Sequence, residues 1–323
     1  MANEYSLTYL NTIQSREVEW LWYPYIPYGK ITIIQGDPGE GKTTFILSVI
    51  ASLTNNDFMP CSRNRVFSRT IYQNTEDDLA DTIKPRLEKH GADCSKVCFI
   101  DKSEQLLLDD DCLEKAIVEA DARLLVFDPL QSFVGENVDM NRANSIRPKL
   151  NKLKEIAEKT GCAIVIIGHL NKKSGGKLDY RGLGSIDIQA AARSVLLVGK
   201  HEGYPNFRFV AQQKNNLAPL GKTLGFTLAD GVVKWLGSFP ISAEALAAGE
   251  EDKQKSKEKS AIRIIANLLI KGRLPSDFIF KCCADEGISE RTVNNAKKKL
   301  NIRSVRKNNI WYWELVPYLD LER

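Results

Sequence analysis

The residues Gly36-Asp37-Pro38-Gly39-Glu40-Gly41-Lys42-Thr43-Thr44 follow the apolar run Ile31-Thr32-Ile33-Ile34 and precede Phe45-Ile46-Leu47. A β-rich run, a glycine-rich loop and an apolar helix start, in that order, constrain the fold more than any other stretch of the chain. The pattern GxxxxGK[ST] predicts backbone N–H groups aimed at phosphate oxygens where a helix N-terminus attracts anions. Gly36, Gly39 and Gly41 are expected to permit the backbone turns, Lys42 to reach the terminal phosphates and Thr43 to ligand magnesium. Residues 36–44, with Asp37, Pro38, Glu40 and Thr44 among them, are thus the expected cradle for ATP and Mg2+; the alternative is a structural turn that holds no nucleotide.

The rest of the chain fits an α/β frame for that loop. Strands are expected at 31–34, 70–73, 97–100, 124–127, 163–167 and 194–198, alternating with helical patterns. The clearest helix runs from about Ile146 to Lys159, where Ile146, Leu150, Leu153 and Ala157 recur at steps of three and four and Pro148 is expected in the first turn. Alternation of this kind predicts a mostly parallel sheet with helices on both faces. Runs at 207–211, 224–228 and 232–235 lack intervening helices and predict an antiparallel extension.

Two carboxylates are placed to serve the loop. Leu124-Leu125-Val126-Phe127-Asp128 is an apolar strand ending in an acid at the C-terminal sheet edge, where Asp128 can hold the metal's water shell. Pro129 and Leu130 follow, so no glutamate comes next; Glu76, after the strand Thr70-Ile71-Tyr72-Gln73, is the candidate for orienting the attacking water. Helix-capping acids are the other explanation for this stretch, which suits Asp77 and Asp78 and can extend to Glu76.

Composition sets the limits. The chain has 323 residues, 43% hydrophobic and 27% charged, with no apolar stretch near the ~18 residues of a membrane span and no signal pattern at its start, so a soluble cytoplasmic protein is expected. Seven cysteines without paired CxxC spacing point to reduced thiols rather than a metal site. From Lys253 onward there are 16 Lys and Arg against 8 Asp and Glu; with +4 overall, the part before it is about −4. A basic module of this size suits a polyanion, and solubility alone is the plainer alternative.

That module is expected to be separate. The organisation predicted is an ATPase core over 1–243, a charged linker over 244–260 and a small domain over 261–323. The small domain reads as three helices, the third capped by Ser289, followed by a hairpin turning at Lys307-Asn308-Asn309, which makes a winged helix-turn-helix. Arg291, Asn294, Asn295 and Lys298 suit a helix in a major groove and Lys307 a phosphate contact, although such domains also bind proteins. Trp311 and Trp313 are expected in the core of this domain.

As a set, Trp20-Leu21-Trp22-Tyr23-Pro24, Ile26-Pro27-Tyr28-Gly29-Lys30, Phe127-Asp128-Pro129-Leu130, Gly168-His169-Leu170-Asn171 and Arg181-Gly182-Leu183-Gly184-Ser185 resemble RepA-type hexameric replicative helicases. These are AAA-family ATPases of the RecA/DnaB superfamily found in phages, plasmids and other mobile elements, and the glutamate on a strand between the loop and Asp128 fits them too. The resemblance covers about residues 15–237 and implies a homo-hexameric ring hydrolysing ATP between subunits and moving along single-stranded DNA. It makes His169 a γ-phosphate sensor and sets Lys172, Lys173, Lys177 and Arg181 in a channel loop that contacts DNA phosphates. It gives Arg193 the finger reaching a neighbour's γ-phosphate; DnaB-like helicases use a Lys-x-Arg, of which Lys214 remains while Asn216 replaces the arginine. The small domain is then expected on duplex DNA. A RecA-like ATPase switch that controls DNA binding, recombination or transcription without unwinding is the second functional class.

Overall fold

A computed structural model describes residues 7–62, 64–135, 138, 140, 142–169, 186–201, 204, 207–248, 257–270, 272–300 and 302–315. A short antiparallel pair, β1 (Trp20–Trp22) and β2 (Ile26–Pro27), precedes β3 (Ile31–Gly36) and the helix α1 (Lys42–Thr54). Then follow β4 (Arg69–Asn74), α2 (Lys84–Lys89), β5 (Val97–Cys98), α3 (Cys112–Glu119), β6 (Ala122–Asp128), α4 (Ala143–Thr160) and β7 (Ala163–His169). The core closes with α5 (Ile186–Ala191), β8 (Ser194–Gly199), β9 (Arg208–Asn215), β10 (Thr223–Ala229), β11 (Val232–Phe239) and α6 (Ala243–Ala248).

The nine-stranded sheet has the order β11-β10-β9-β8-β3-β7-β6-β4-β5, parallel from β8 to β5 and antiparallel from β8 to β11. Strands buried on both faces need apolar residues throughout, which is why Ile31, Ile33, Ile34 and the whole of Ala163–Ile167 are at most 1% exposed. One face packs on α1 around Trp22, Phe45, Phe226 and Trp235, the other on α3 and α4 around Phe127, Phe133, Leu150 and Leu153. Helices on both faces of one mostly parallel sheet are the architecture the alternation predicted.

Details differ from expectation. The 97–100 strand is only Val97–Cys98, at the sheet edge where few partners can extend it. Helix α4 begins at Ala143, so Pro148 is its sixth residue and lies in the second turn rather than the first. Burial of Ile146, Leu150, Leu153 and Ala157 outweighs the single backbone donor that Pro148 lacks. The stretch 244–260 carries α6 at its start, with Leu246 buried against Gly199.

The C-terminal part contains α7 (Lys257–Leu269), β12 (Leu274–Pro275), α8 (Ser276–Asp285), α9 (Glu290–Lys299), β13 (Ile302–Lys307) and β14 (Ile310–Leu315), with sheet order β12-β14-β13. Ser289 caps α9 by accepting the Thr292 N–H at 3.4 Å. Ile262, Ile265, Ile279, Val293 and Leu300 fill its core, and the same apolar cluster reaches Leu236 and Phe239 of β11. Trp313 is buried and meets Phe280 edge to face, but Trp311 is half exposed. Both lie on one face of β14, yet Trp311 is nearer the hairpin tip, where Arg306 lies over its ring.

Candidate functional site

Four elements bring their ends together at the C-terminal edge of the parallel strands. The loop after β3 takes left-handed backbone at Gly39 (φ 76°) and Gly41 (φ 89°), and Gly41 caps α1. Gly36 differs from the turn role expected of it: it is the last residue of β3, and a Cβ there would sit 2.1 Å from the Val198 carbonyl oxygen. Close approach of β3 and β8 therefore demands glycine at 36, whereas the turn demands it at 39 and 41. Asp37, Glu40, Gly41 and Thr44 are partly buried, and Pro38 and Gly39 face solvent.

Lys42 is 5% exposed. Its ammonium donates to the carbonyls of Gly36 and Asp37, both at 2.9 Å, and lies 3.1 Å from His169 Nδ1. An ammonium has no acceptor, so His169 Nδ1 accepts and the imidazole carries its proton on Nε2. Burial lowers the pKa of Lys42 despite the opposing charges of Asp128 and Asp37; burial and then Lys42 lower that of His169, which is neutral near pH 7.

Thr43 and Asp128 meet directly: Thr43 Oγ1 donates to Asp128 Oδ2 at 2.7 Å. Asp128 ends β6 opposite Asn74 of β4, and burial raises its pKa against the hydrogen bonds of Thr43 and Tyr72. Two hard oxygen donors beside a phosphate loop fit Mg2+, which takes most of its shell from phosphates and water. Among the described residues no cluster of three or more His, Cys, Asp or Glu could cage a metal by itself, and all seven cysteines are free thiols.

Glu76 is exposed, two residues past β4, and close enough to Lys42, His169 and Asp128 to influence their charges. Its acidic neighbours have other work. Asp78 caps the following turn by accepting the N–H groups of Ala80 and Asp81, and Asp77 pairs with Arg86 at 2.8 Å. Sequence reasoning missed Tyr72 and Asn74, buried on β4 between Asp128 and the Glu76 turn, and Lys200, which pairs with Glu40 at 3.1 Å. The alternation of Tyr72, Asn74 and Glu76 at the strand end was the available signal. Burial, then the Asp128 charge, pushes the Tyr72 phenol well above its usual range, so it serves as a donor.

Residues 8–175, more than half of the chain, match the AAA domain family. The chain belongs to the AAA domain family. Its core is an α/β P-loop fold, a large mostly parallel sheet flanked by helices with the glycine-rich loop between β3 and α1. Over parts of its length this AAA domain chain is similar to curated DNA repair proteins named RadA. The Halalkalibacterium halodurans protein is 26% identical over 147 residues, the Brucella abortus protein 24% over 207 and the Bacillus subtilis protein 26% over 224. These matches take in 45%, 63% and 68% of this chain but only 29%, 40% and 44% of those relatives' lengths. A solved KaiC-like protein of Pyrococcus horikoshii superposes with a TM-score of 0.49 and 18% identity, over 65% of this chain and 90% of that one.

The remaining candidates lie away from the loop. Arg193 precedes β8, its N–H bonded to the Ile31 carbonyl at the opposite end of β3, and it lines a cleft with Arg147, Lys154 and Asp187. Lys214 donates to the Gln189 carbonyl at 2.7 Å, and burial followed by the charge of Arg193 lowers its pKa. Lys172, Lys173, Lys177 and Arg181 lie outside the described residues. On α9, Arg291, Asn295 and Lys298 are exposed, as is Lys307 on the hairpin; the Asn294 amide donates to the Glu290 carbonyl of its own helix. No helix among the described residues is long and apolar enough to cross a membrane.

Proposed function

We propose that this protein is an ATP-driven DNA motor, a homo-hexameric replicative helicase of a mobile element that moves along single-stranded DNA. The observation that carries this reading is the split of the site across the sheet. Lys42, Thr43, Asp128, Glu76 and His169 gather at one strand end, Arg193 stands at the other, and Lys214 lies level with Ile33 at the middle of β3. Strands advance about 3.3 Å per residue, so the 31–36 length of β3 separates Arg193 from its own loop by roughly 17 Å. An arginine so placed serves a triphosphate on a neighbouring copy, as a ring supplies.

Within one site the chain's groups divide the work. Lys42 and the loop N–H groups hold the phosphates, Thr43 and Asp128 would hold Mg2+, which would supply screening of the phosphate charge, and Glu76 orients the water. His169 passes occupancy of the γ-phosphate position to residues 170–185, where Lys172, Lys173, Lys177 and Arg181 contact DNA backbone. Residues 261–323 act as a winged helix that sets Arg291, Asn294, Asn295 and Lys298 on duplex DNA, with Lys307 on a phosphate, after the 244–260 segment. The similarity to DNA repair proteins supports a DNA partner.

A switch ATPase is the second reading. Leu228 of β10 lies against Gly41, and the C-terminal apolar cluster meets β11, so one hairpin touches both the loop and the basic unit. Unwinding of a forked duplex separates the readings. The motor predicts strand separation with ATP and none with a nonhydrolysable analogue, together with rings on imaging; DNA-stimulated hydrolysis without strand separation favours the switch.

A further inference from the structure

Tyr72 and Asn74 are buried on β4, two positions apart and so on one face of the sheet. Asn74 Oδ1 accepts the backbone N–H groups of Glu76 at 3.0 Å and Asp77 at 2.7 Å, which fixes the orientation of its amide. Its Nδ2 then faces the Tyr72 hydroxyl at 3.4 Å, and that hydroxyl donates to Asp128 Oδ2 at 2.9 Å. Thr43 donates to the same oxygen at 2.7 Å. Phenylalanine and leucine would fill these positions without the cost of burying polar atoms, so the polar atoms require a reason.

We propose that Tyr72 and Asn74 are positioning residues that tie the Glu76 turn to the magnesium side of the site through one hydrogen-bonded chain. Asn74 holds the turn that presents Glu76. Tyr72, as the second donor on one carboxylate oxygen, sets the plane of Asp128 toward Thr43. This rests on reading Glu76 as the water-orienting group and Asp128 as the metal-side carboxylate. The chain adds that the two are held in register by β4, so neither the turn nor the carboxylate moves alone.

The test uses the full chain with Tyr72→Phe, Asn74→Ala, Asn74→Asp and Glu76→Gln, and each variant's thermal unfolding confirms that it is folded. In titrations of a fluorescent nonhydrolysable ATP analogue, Tyr72→Phe should raise the Mg2+ needed for half-maximal tight binding about tenfold to a hundredfold, the scale of one hydrogen bond to a charged group, and leave binding in EDTA unchanged. Asn74→Ala should lower kcat about tenfold at unaltered KM for ATP and speed hydrogen exchange at the Glu76 and Asp77 amides. Asn74→Asp should restore their protection, since a carboxylate oxygen accepts the same two N–H groups. An unchanged Mg2+ dependence in Tyr72→Phe overturns the Asp128 half. Unaltered kcat or unaltered amide exchange in Asn74→Ala overturns the Glu76 half. If Glu76→Gln hydrolyses ATP at the unmodified rate, the underlying assignment of Glu76 fails and takes that half with it, and the Mg2+ titration still decides the other.

Discussion

The two ends of the central sheet are built on opposite plans. At the C-terminal end, two largely buried hydrogen-bonded groups lie side by side, Thr43 and Tyr72 on Asp128, and Lys42 with three acceptors that include His169. Toward the N-terminal end, Arg193 lines an open cleft together with Arg147, which pairs with Asp187, and Lys154, which pairs with Glu158. A buried network of satisfied groups is suited to chemistry within one chain. Cations kept around a cleft, far from their own loop, are suited to a ligand that arrives from outside.

The sharpest way to break this comparison is Arg193→Ala. If the two ends join between chains, hydrolysis should fall about a thousandfold, the scale of a lost arginine finger, and mixing with Lys42→Ala subunits should recover part of it. Hydrolysis at the unmodified rate by Arg193→Ala alone would return the cleft to a purely structural role. Next in size is Glu76→Gln, for which we expect a loss of about a hundredfold in kcat with ATP binding retained, because water orientation is removed and the phosphate cradle is not. Loss of ATP binding in equilibrium titration would place Glu76 in the cradle instead.

Replacing Arg291 and Lys298 together by alanine should weaken duplex binding about tenfold at low salt and leave hydrolysis intact. The slope of log affinity against log salt should become shallower by about 0.9 for each phosphate contact removed. Unchanged duplex affinity would make α9 a face for a protein partner. The smallest effect concerns His90, whose Nδ1 meets the Arg86 carbonyl at 2.7 Å and whose Nε2 accepts the Val233 N–H at 3.1 Å. Burial lowers its pKa below the ordinary 6.5, so folding favours the neutral ring and its stabilisation is complete above pH 6.5 and lost as pH falls through the folded value. Denaturant unfolding at about pH 7.5 and about pH 5.5 should therefore show an acid loss that shrinks in His90→Ala, with about 1 kcal/mol at stake for the bond to Val233.

How far each end was legible follows from how local its determinants are. The loop 36–44 and the acid ending β6 could be read because short-range patterns specify them: a β-rich run before glycines, and a carboxylate after Leu124–Phe127. Asp78 was legible as a cap for the same reason, since its partners Ala80 and Asp81 are adjacent in sequence. Tyr72 looked like any strand aromatic, because its partner Asp128 is 56 residues away. Lys200 and Glu40 escaped notice equally, being joined only when β8 lies beside β3.

Sequence alone determined the element types, the parallel core and the chemical identity of the phosphate loop, since periodicity and turn chemistry act over a few residues. The tertiary structure decided why Gly36 must be glycine, where Pro148 falls in its helix, which tryptophan of β14 is buried, and that Arg193 stands at the far end from Lys42. Each of these depends on strand order and on which face meets which helix. Those choices are fixed by burying apolar surface across the whole chain at once, and no short window of residues contains them.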